Sequence, residues 1–332
     1  MTQDKVIGKL SDDAVMSCSR LPALFGWSSY ATPNDELRKS MEAWDRKNGV
    51  TNLAPRAWQY SEPASWGIYM ENEILRRMAQ RLGLEIQVDV EERVEHAEID
   101  LQGSLDGILF GDGRVITTDP SAGIYVIGAD SVTLDGPGVA ESKLTNDMPA
   151  AEPKRFRGPA QVQGLMMCTG YKWAAIGTLF RGTELRIFVV GPDPVMQQKI
   201  REDVTDFAAR MELWQTQRVA EWYPALTPND AAETYTKIED DLPPVKLDAE
   251  LSELAMDLMA ARAAAAAATK LATEIQTRIM DAMGLHPTAV AFDESGNPVA
   301  EISWGMSSPR KEYVVKAQPA RRASSIKIKE IA

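Results

Sequence analysis

Four ionisable residues carry the chemistry open to this chain: Glu71 in GIYMENEIL, Asp106 in GSLDGILF, and Glu141 with Lys143 in VAESKLT. Carboxylates that converge at a sheet edge can hold a hard divalent cation such as Mg²⁺ and so activate water. A lysine beside them offsets negative charge as it builds on a phosphate. Together they are the core of metal-dependent phosphodiester hydrolysis. Taken singly, each has a plainer reading: a helix glutamate is usually solvated surface, and Gly-x-x-Asp-Gly is usually a turn. The functional reading rests on their occurring together.

Length and composition bound what surrounds them. A chain of 332 residues holds one core of about 200 residues plus an additional domain. Apolar and charged fractions of 44% and 25% are ordinary for a globular protein, and no apolar run is long enough to span a bilayer. The first ten residues, MTQDKVIGKL, lack the apolar core of a signal peptide, so a reducing cytoplasm is expected. Cys18 and Cys168, the only cysteines, offer neither a disulfide framework nor a zinc or iron–sulfur ligand set. His96 has no second histidine near it in sequence and reads as strand-edge surface. A net charge of −12 excludes a protein coated all over with nucleic acid but leaves room for a local basic groove. Two clusters could line one: Lys154, Arg155 and Arg157, just after the Glu-x-Lys segment, and the tail from Arg310 to Lys329.

The elements that must position these residues follow from pattern. Residues 11–48 read as helical, with Ser11 and Asp12 able to cap a first turn and a second helix starting at Thr32-Pro33-Asn34. Apolar positions from Ile68 to Leu82 recur at helical spacing, with Gly83 closing a helix that carries Glu71. Strands are expected at 84–90, 96–101 and 104–110. The last would meet 114–118 across a Gly-Asp-Gly turn, with a further hairpin from 122–127 and 130–134 and a strand at 138–143. Asp106 and Glu141 then fall on neighbouring strands. Pro159 opens a helix over 159–172 that brings Gln161 forward. A hairpin at 173–190 and an amphipathic helix at 194–222 complete a mixed sheet flanked by helices, an α/β (α+β) fold. Cys168 on the short helix reads as packing. Of Trp27, Trp66 and Trp173, at least two are expected in the core, although each could stack on unpaired bases. Residues 223–247 read as an acidic, proline-containing linker. The 248–332 region reads as a long alanine-rich helix, a small hairpin and a basic tail.

The order and wording of these segments resemble the YqaJ-type viral recombinase family, which includes lambda phage exonuclease, within the PD-(D/E)-x-K nuclease superfamily. The resemblance covers roughly residues 15–222. Its matches are SCSRLPALFGWSSYATP with its Gly-x-Ser-x-Tyr turn, Gly67-x-x-x-Glu71-Asn72, Gly103-Ser-Leu-Asp106-Gly107, Glu141-Ser142-Lys143, and Ala160-Gln161-Val162-Gln163. Leu105 stands where the family has proline, and the long span from Asp106 to Glu141 implies an inserted hairpin pair at about 112–137. The family's upstream arginine for a 5′-phosphate falls near Asp12 or Asp13, so Arg20 or Lys9 would have to supply that charge.

The resemblance implies a restriction-endonuclease-like fold for residues 1–222. Glu71, Asp106, Glu141 and the Ser142 carbonyl would hold Mg²⁺, or Mn²⁺. Lys143 would orient the water, and Gln161 would position the lysine or nucleophile. Ser19 and Ser104 match serines that bind a terminal phosphate. The activity implied is an exonuclease of phage or prophage recombination in a bacterial host. It would degrade duplex DNA from an end, 5′ to 3′, as a ring-shaped homo-oligomer, a trimer by the family's example. A single-strand annealing protein is the implied partner of the C-terminal region. Two alternatives stay open: a restriction-like or structure-selective endonuclease with the same residues, and a DNA-end-binding scaffold with a vestigial site.

Overall fold

The computed structural model describes residues 12–50, 62–90, 92–236 and 243–305. They fold as two units, one running through Thr234 and the other from Tyr235.

The first unit is organised around the segment Ala174–Phe180, buried at every residue. A run without polar alternation is what a central strand covered on both faces requires. In chain order the elements are β1 (Met16–Ser17), a 3₁₀ turn (Cys18–Arg20), α1 (Leu21–Leu24), α2 (Pro33–Lys47), α3 (Glu62–Leu82), β2 (Glu85–Val88), β3 (Arg93–Glu95), β4 (Leu101–Ser104) and β5 (Gly107–Thr117). Then come β6 (Ile124–Ile127), β7 (Ser131–Thr145), α4 (Pro159–Thr169), β8 (Ala174–Phe180), β9 (Glu184–Val190), α5 (Pro194–Gln217) and α6 (Pro228–Thr234). Six strands form the central sheet in the order β2-β5-β7-β8-β9-β6, and β1-β4-β3 form a small second sheet. The central sheet is mixed, because β7 runs parallel to β8 and β6 parallel to β9 while the other pairs are antiparallel.

Side-chain alternation sorts the sheet into two faces. Val139, Ala174, Ile176, Phe188 and Val190 join one core with α1, α2, α4 and α5. Their neighbours Ala140, Ala175, Ile187 and Val189 join a second core with Ile74, Leu75, Met78 and Leu82 of α3. The architecture is therefore three layers, a mixed sheet between helices, as the sequence pattern predicts. The α2 N-terminus carries a capping box, with Thr32 and Asp35 satisfying each other's backbone N–H groups and Pro33 in the first turn. Asp193 caps α5 through Val195 N and Met196 N.

Several expectations within this frame need correction. The Gly-Asp-Gly at 111–113 is not a turn but a bulge in the continuous strand β5, with Gly113 at φ 86° absorbing the extra residue. The partner strand β7 is 15 residues long and pairs on both sides of the bulge, so ladder pairing overrides turn propensity. The proposed hairpin of 122–127 with 130–134 does not form. Residues 131–134 belong to β7, and β6 pairs with β9 instead, which buries Ile124 and Val126 in one core and packs Tyr125 and Ile127 on the other. The 96–100 stretch is a loop rather than a strand. His96 Nδ1 accepts from Glu98 N and Ile99 N, and burial with Arg201 nearby lowers its pKa. Within the segment read as a linker, α6 packs on α2, and Asp230 and Thr234 are buried. Ser11, Lys9 and the basic tail lie outside the described residues.

The second unit holds α7 (Ala249–Met283), capped by Asp248 and closed by Gly284, and the hairpin β10 (Thr288–Phe292) with β11 (Pro298–Ser303).

Candidate active site

Strand β7 changes character along its length, and the site sits where it does. From Ser131 to Leu134 its residues alternate exposed and buried, as a two-faced strand should. From Val139 onward β8 joins on the far side, and Gly138 to Glu141 are all buried. Gly138 is required there, since a Cβ would stand 2.3 Å from the Trp173 ring. Val139 faces the α4 layer and Ala140 the α3 layer, so alternation returns Glu141 and Lys143 to the α4 side. Gln161, on the first turns of α4, meets them: Lys143 Nζ donates to Gln161 Oε1 at 3.1 Å and forms an ion pair with Glu141 Oε1.

Asp106 enters from the neighbouring strand. Gly107 pairs with Ala140, which sets Asp106 opposite Glu141. Asp106 Oδ2 accepts from Ser142 N at 2.9 Å and from Ser142 Oγ at 3.2 Å. Leu105, just before Asp106, is 4% exposed and belongs to the core, so its role is packing. Gly107 lets β2 lie close along the other side of β5: a Cβ there would stand 3.0 Å from Gln87 O.

The electrostatics are unbalanced toward negative charge. Glu141 is 1% exposed, and burial, then the Asp106 carboxylate, push its pKa up to about 8 against the opposing pull of Lys143. Its second oxygen, Oε2, is buried with no hydrogen-bond partner. Glu71, reaching from α3, is raised to about 7 by burial and by Asp106, with Asp89 adding to the effect. Burial alone would lower the Lys143 pKa, but Glu141, Asp106 and Glu71 raise it, so the ammonium keeps its proton. One lysine thus faces a carboxylate group whose combined charge exceeds its own. Among the described residues no three His, Cys, Asp or Glu side chains form a group that could hold a metal ion. The orphaned Glu141 oxygen beside Asp106 is nevertheless the kind of hard oxygen donor that a divalent cation satisfies.

The other candidates divide. Ser19 is exposed and its hydroxyl lies 3.2 Å from that of Ser17; Ser104 is exposed at the end of β4. Arg20 is not at the surface. It is 5% exposed, pairs with Glu36, and its remaining N–H groups go to Asp13 O, Val15 O, Glu36 O and Ser40 Oγ. No donor is left for a phosphate, so Arg20 is a structural bolt between the 3₁₀ turn and α2. Lys154 and Arg157 both pair with Asp147, at 2.9 and 3.7 Å, and Arg155 is exposed. Of the three tryptophans only Trp173 is fully buried; Trp27 is half-buried and Trp66 is 55% exposed.

Sequence reasoning passed over Asp89. It follows β2 in a left-handed conformation, φ 56°, which aspartate tolerates better than most residues. Its carboxylate accepts from Asn72 Nδ2 at 2.9 Å, one residue from Glu71. The only signal in the sequence was Asn72 directly after the glutamate.

Similar solved structures are exonucleases. The chain is 16% identical to LHK-Exo in complex with dAMP, over 60% of this chain and 88% of that one, with a TM-score of 0.41. It is 17% identical to LHK-Exo, an alkaline exonuclease from Laribacter hongkongensis, over 60% and 89% of the two chains at the same TM-score of 0.41. A phage-related exonuclease from Haemophilus somnus 129PT is 13% identical, with 62% and 96% covered and a TM-score of 0.40. No protein-family model and no curated protein matches the chain.

Proposed function

We propose that the protein is a metal-dependent DNA exonuclease that hydrolyses phosphodiester bonds of duplex DNA from an end, 5′ to 3′, leaving a 3′ single strand for recombination. The observation that carries this reading is the buried Glu141. One of its oxygens is held by Lys143 and the other is buried without a hydrogen-bond partner, while burial and the Asp106 charge hold its pKa up. The ordered match of five motifs to the YqaJ-type family supports the substrate and the polarity.

In this reading Asp106, Glu141 and the Ser142 carbonyl hold Mg²⁺ or Mn²⁺, with Glu71 adding charge from α3. When bound, the cation supplies Lewis acidity to the scissile phosphate and lowers the pKa of water. The chain's own residues do the rest. Ser142 fixes the Asp106 carboxylate through two hydrogen bonds. Gln161 and Glu141 aim the Lys143 ammonium, which orients the attacking water and offsets charge on the phosphate as the P–O bond breaks. Ser19 and Ser104 offer hydroxyls to a terminal phosphate. The chain works as a homo-oligomeric ring, and the second unit serves self-association or a single-strand annealing partner.

The experiment is digestion of linear and closed circular duplex, labelled separately at 5′ and 3′ ends, with Mg²⁺ or EDTA and with Lys143→Ala alongside. Loss of the 5′ label from linear DNA alone, with Mg²⁺ and not in the variant, is the expected result. Cutting of circles makes the protein an endonuclease. No cleavage by folded wild-type protein in either metal leaves a DNA-end-binding scaffold.

A further inference from the structure

Two loops bring aromatic rings and cations into one patch. Tyr30, between α1 and α2, has its ring 6.3 Å from that of Phe156 at an interplanar angle of 68°, an edge-to-face pair. Phe156 lies in the segment joining β7 to α4. Lys154 and Arg157 stand 5.9 and 5.2 Å from the Phe156 ring, and Arg155 lies 5.8 Å over Trp27. Tyr30 is 77% exposed, so burial does not explain where it rests. Its ring rests against that of Phe156 while most of the residue stays in water.

The patch is tied to the strand that carries Glu141 and Lys143. At the end of β7, Thr145 Oγ1 donates to Asp147 at 2.8 Å, and Asp147 holds Lys154 and Arg157. Arg157 also donates to the carbonyl of Leu144, the residue after Lys143, at 3.5 Å. A cleft opens here, lined by Thr145, Asp147, Lys154 and Arg157. Asp147, with Glu152 in the same cleft, offsets part of the positive charge. Arg157 Nε faces Asp147 at 3.7 Å, whereas Arg155 has no carboxylate partner among the described residues.

An open aromatic face beside cations suits a base on the ring and phosphates on the rim. A duplex keeps its base faces stacked away, whereas a single strand offers them freely. We propose that Tyr30, seated on Phe156 and rimmed by Lys154, Arg155 and Arg157, is a stacking platform for unpaired bases of a DNA single strand beside the Glu141–Lys143 site. This rests on the nuclease reading above and adds which form of DNA the site borders on.

The test is fluorescence anisotropy in EDTA with a labelled oligothymidylate of about twelve nucleotides and an abasic oligomer of equal length. Wild-type protein should bind the abasic strand roughly tenfold more weakly. Tyr30→Ala should bring thymidylate affinity down to the abasic level without moving abasic affinity, and Tyr30→Trp should keep the wild-type preference. Arg155→Ala should weaken both ligands and flatten the salt dependence by about one unit of slope. Unfolding temperatures of the Tyr30 variants should match wild type, because the side chain is exposed. Equal binding of the two oligomers by wild type, or unchanged thymidylate affinity in Tyr30→Ala, overturns the platform. If the same preparation digests linear duplex with Mg²⁺, the nuclease reading survives that result. Absence of both binding and digestion overturns the two together.

Discussion

Folding displaces the Glu141 carboxylate far from its ordinary pKa range. A carboxylate with a pKa near 4.5 in an unfolded chain is held at about 8 in the folded one. Between those values the folded state keeps a proton that the unfolded state has released. Stability therefore falls as pH rises through the window: the group costs nothing below its unfolded pKa and most above its folded one. Glu71, raised to about 7, acts in the same direction over a narrower range. The unfolding temperature of the metal-free protein should accordingly drop from about pH 5 to about pH 8. Glu141→Gln, which cannot ionise, should remove most of that slope, and Mg²⁺ should restore the wild-type temperature at the alkaline end by binding the folded state. Calorimetry on both proteins with and without Mg²⁺ checks this; parallel slopes in wild type and variant would count against the assignment of the charge to Glu141. Lys143→Ala should cost at least about a hundredfold in cleavage rate, the scale of losing one oriented electrostatic group.

Elements were legible in the sequence where local chemistry decided them. Thr32-Pro33-Asn-Asp35 spells a capped helix start before any fold is known, and Asp248 with Gly284 brackets α7 in the same way. Gly111-Asp-Gly113 was not legible, because the same letters make a turn or a bulge and only the long partner β7 selects between them. The identities of Glu71, Asp106, Glu141, Lys143 and Gln161 could be named from their motifs, but not that Glu141 would leave one oxygen orphaned or that Asp89 would stand close to Glu71. Arg20 was misplaced because a long-range ion pair cannot be seen from spacing. The corner formed by the 3₁₀ turn, α1 and α2 depends on it: five N–H···O contacts converge on one buried guanidinium. Arg20→Ala strands the buried Glu36 carboxylate and should cost about 3–5 kcal/mol. The double replacement Arg20→Met with Glu36→Leu should cost much less, since an apolar pair leaves no charge behind. Urea unfolding of the two variants measures the difference, and equal losses would mean that Arg20 contributes through packing alone.

For the molecule as a whole, the boundary between its two units lies further along the chain than composition suggests. The acids and prolines after Trp222 read as a linker, yet the chain stays attached to the first unit. Asn34, fully buried, donates to Tyr223 O at 3.0 Å and accepts from Tyr223 N at 2.8 Å. Arg210 donates to the carbonyls of Glu221 and Trp222 and stacks 4.2 Å over the Tyr223 ring. Asp230 then takes Leu226 N, which closes the approach to α6. A chain cut after Trp222 leaves the Asn34 amide buried without partners and uncovers the face of α2 that α6 protects. Losing those groups should cost about 2–4 kcal/mol, or roughly 5–15 °C in unfolding temperature for a unit of this size. A chain cut after Thr234 should keep the full stability of the first unit. That second truncation also isolates what α7 contributes, since Leu251, Leu254, Leu271 and Ile275 are exposed along it and the unit holding them is removed intact. If α7 joins copies of the chain, sedimentation of the Thr234 truncation should give fewer subunits per particle than the full chain at equal concentration. An unchanged subunit number above one would place the subunit contacts in the first unit and leave the second free for a different protein.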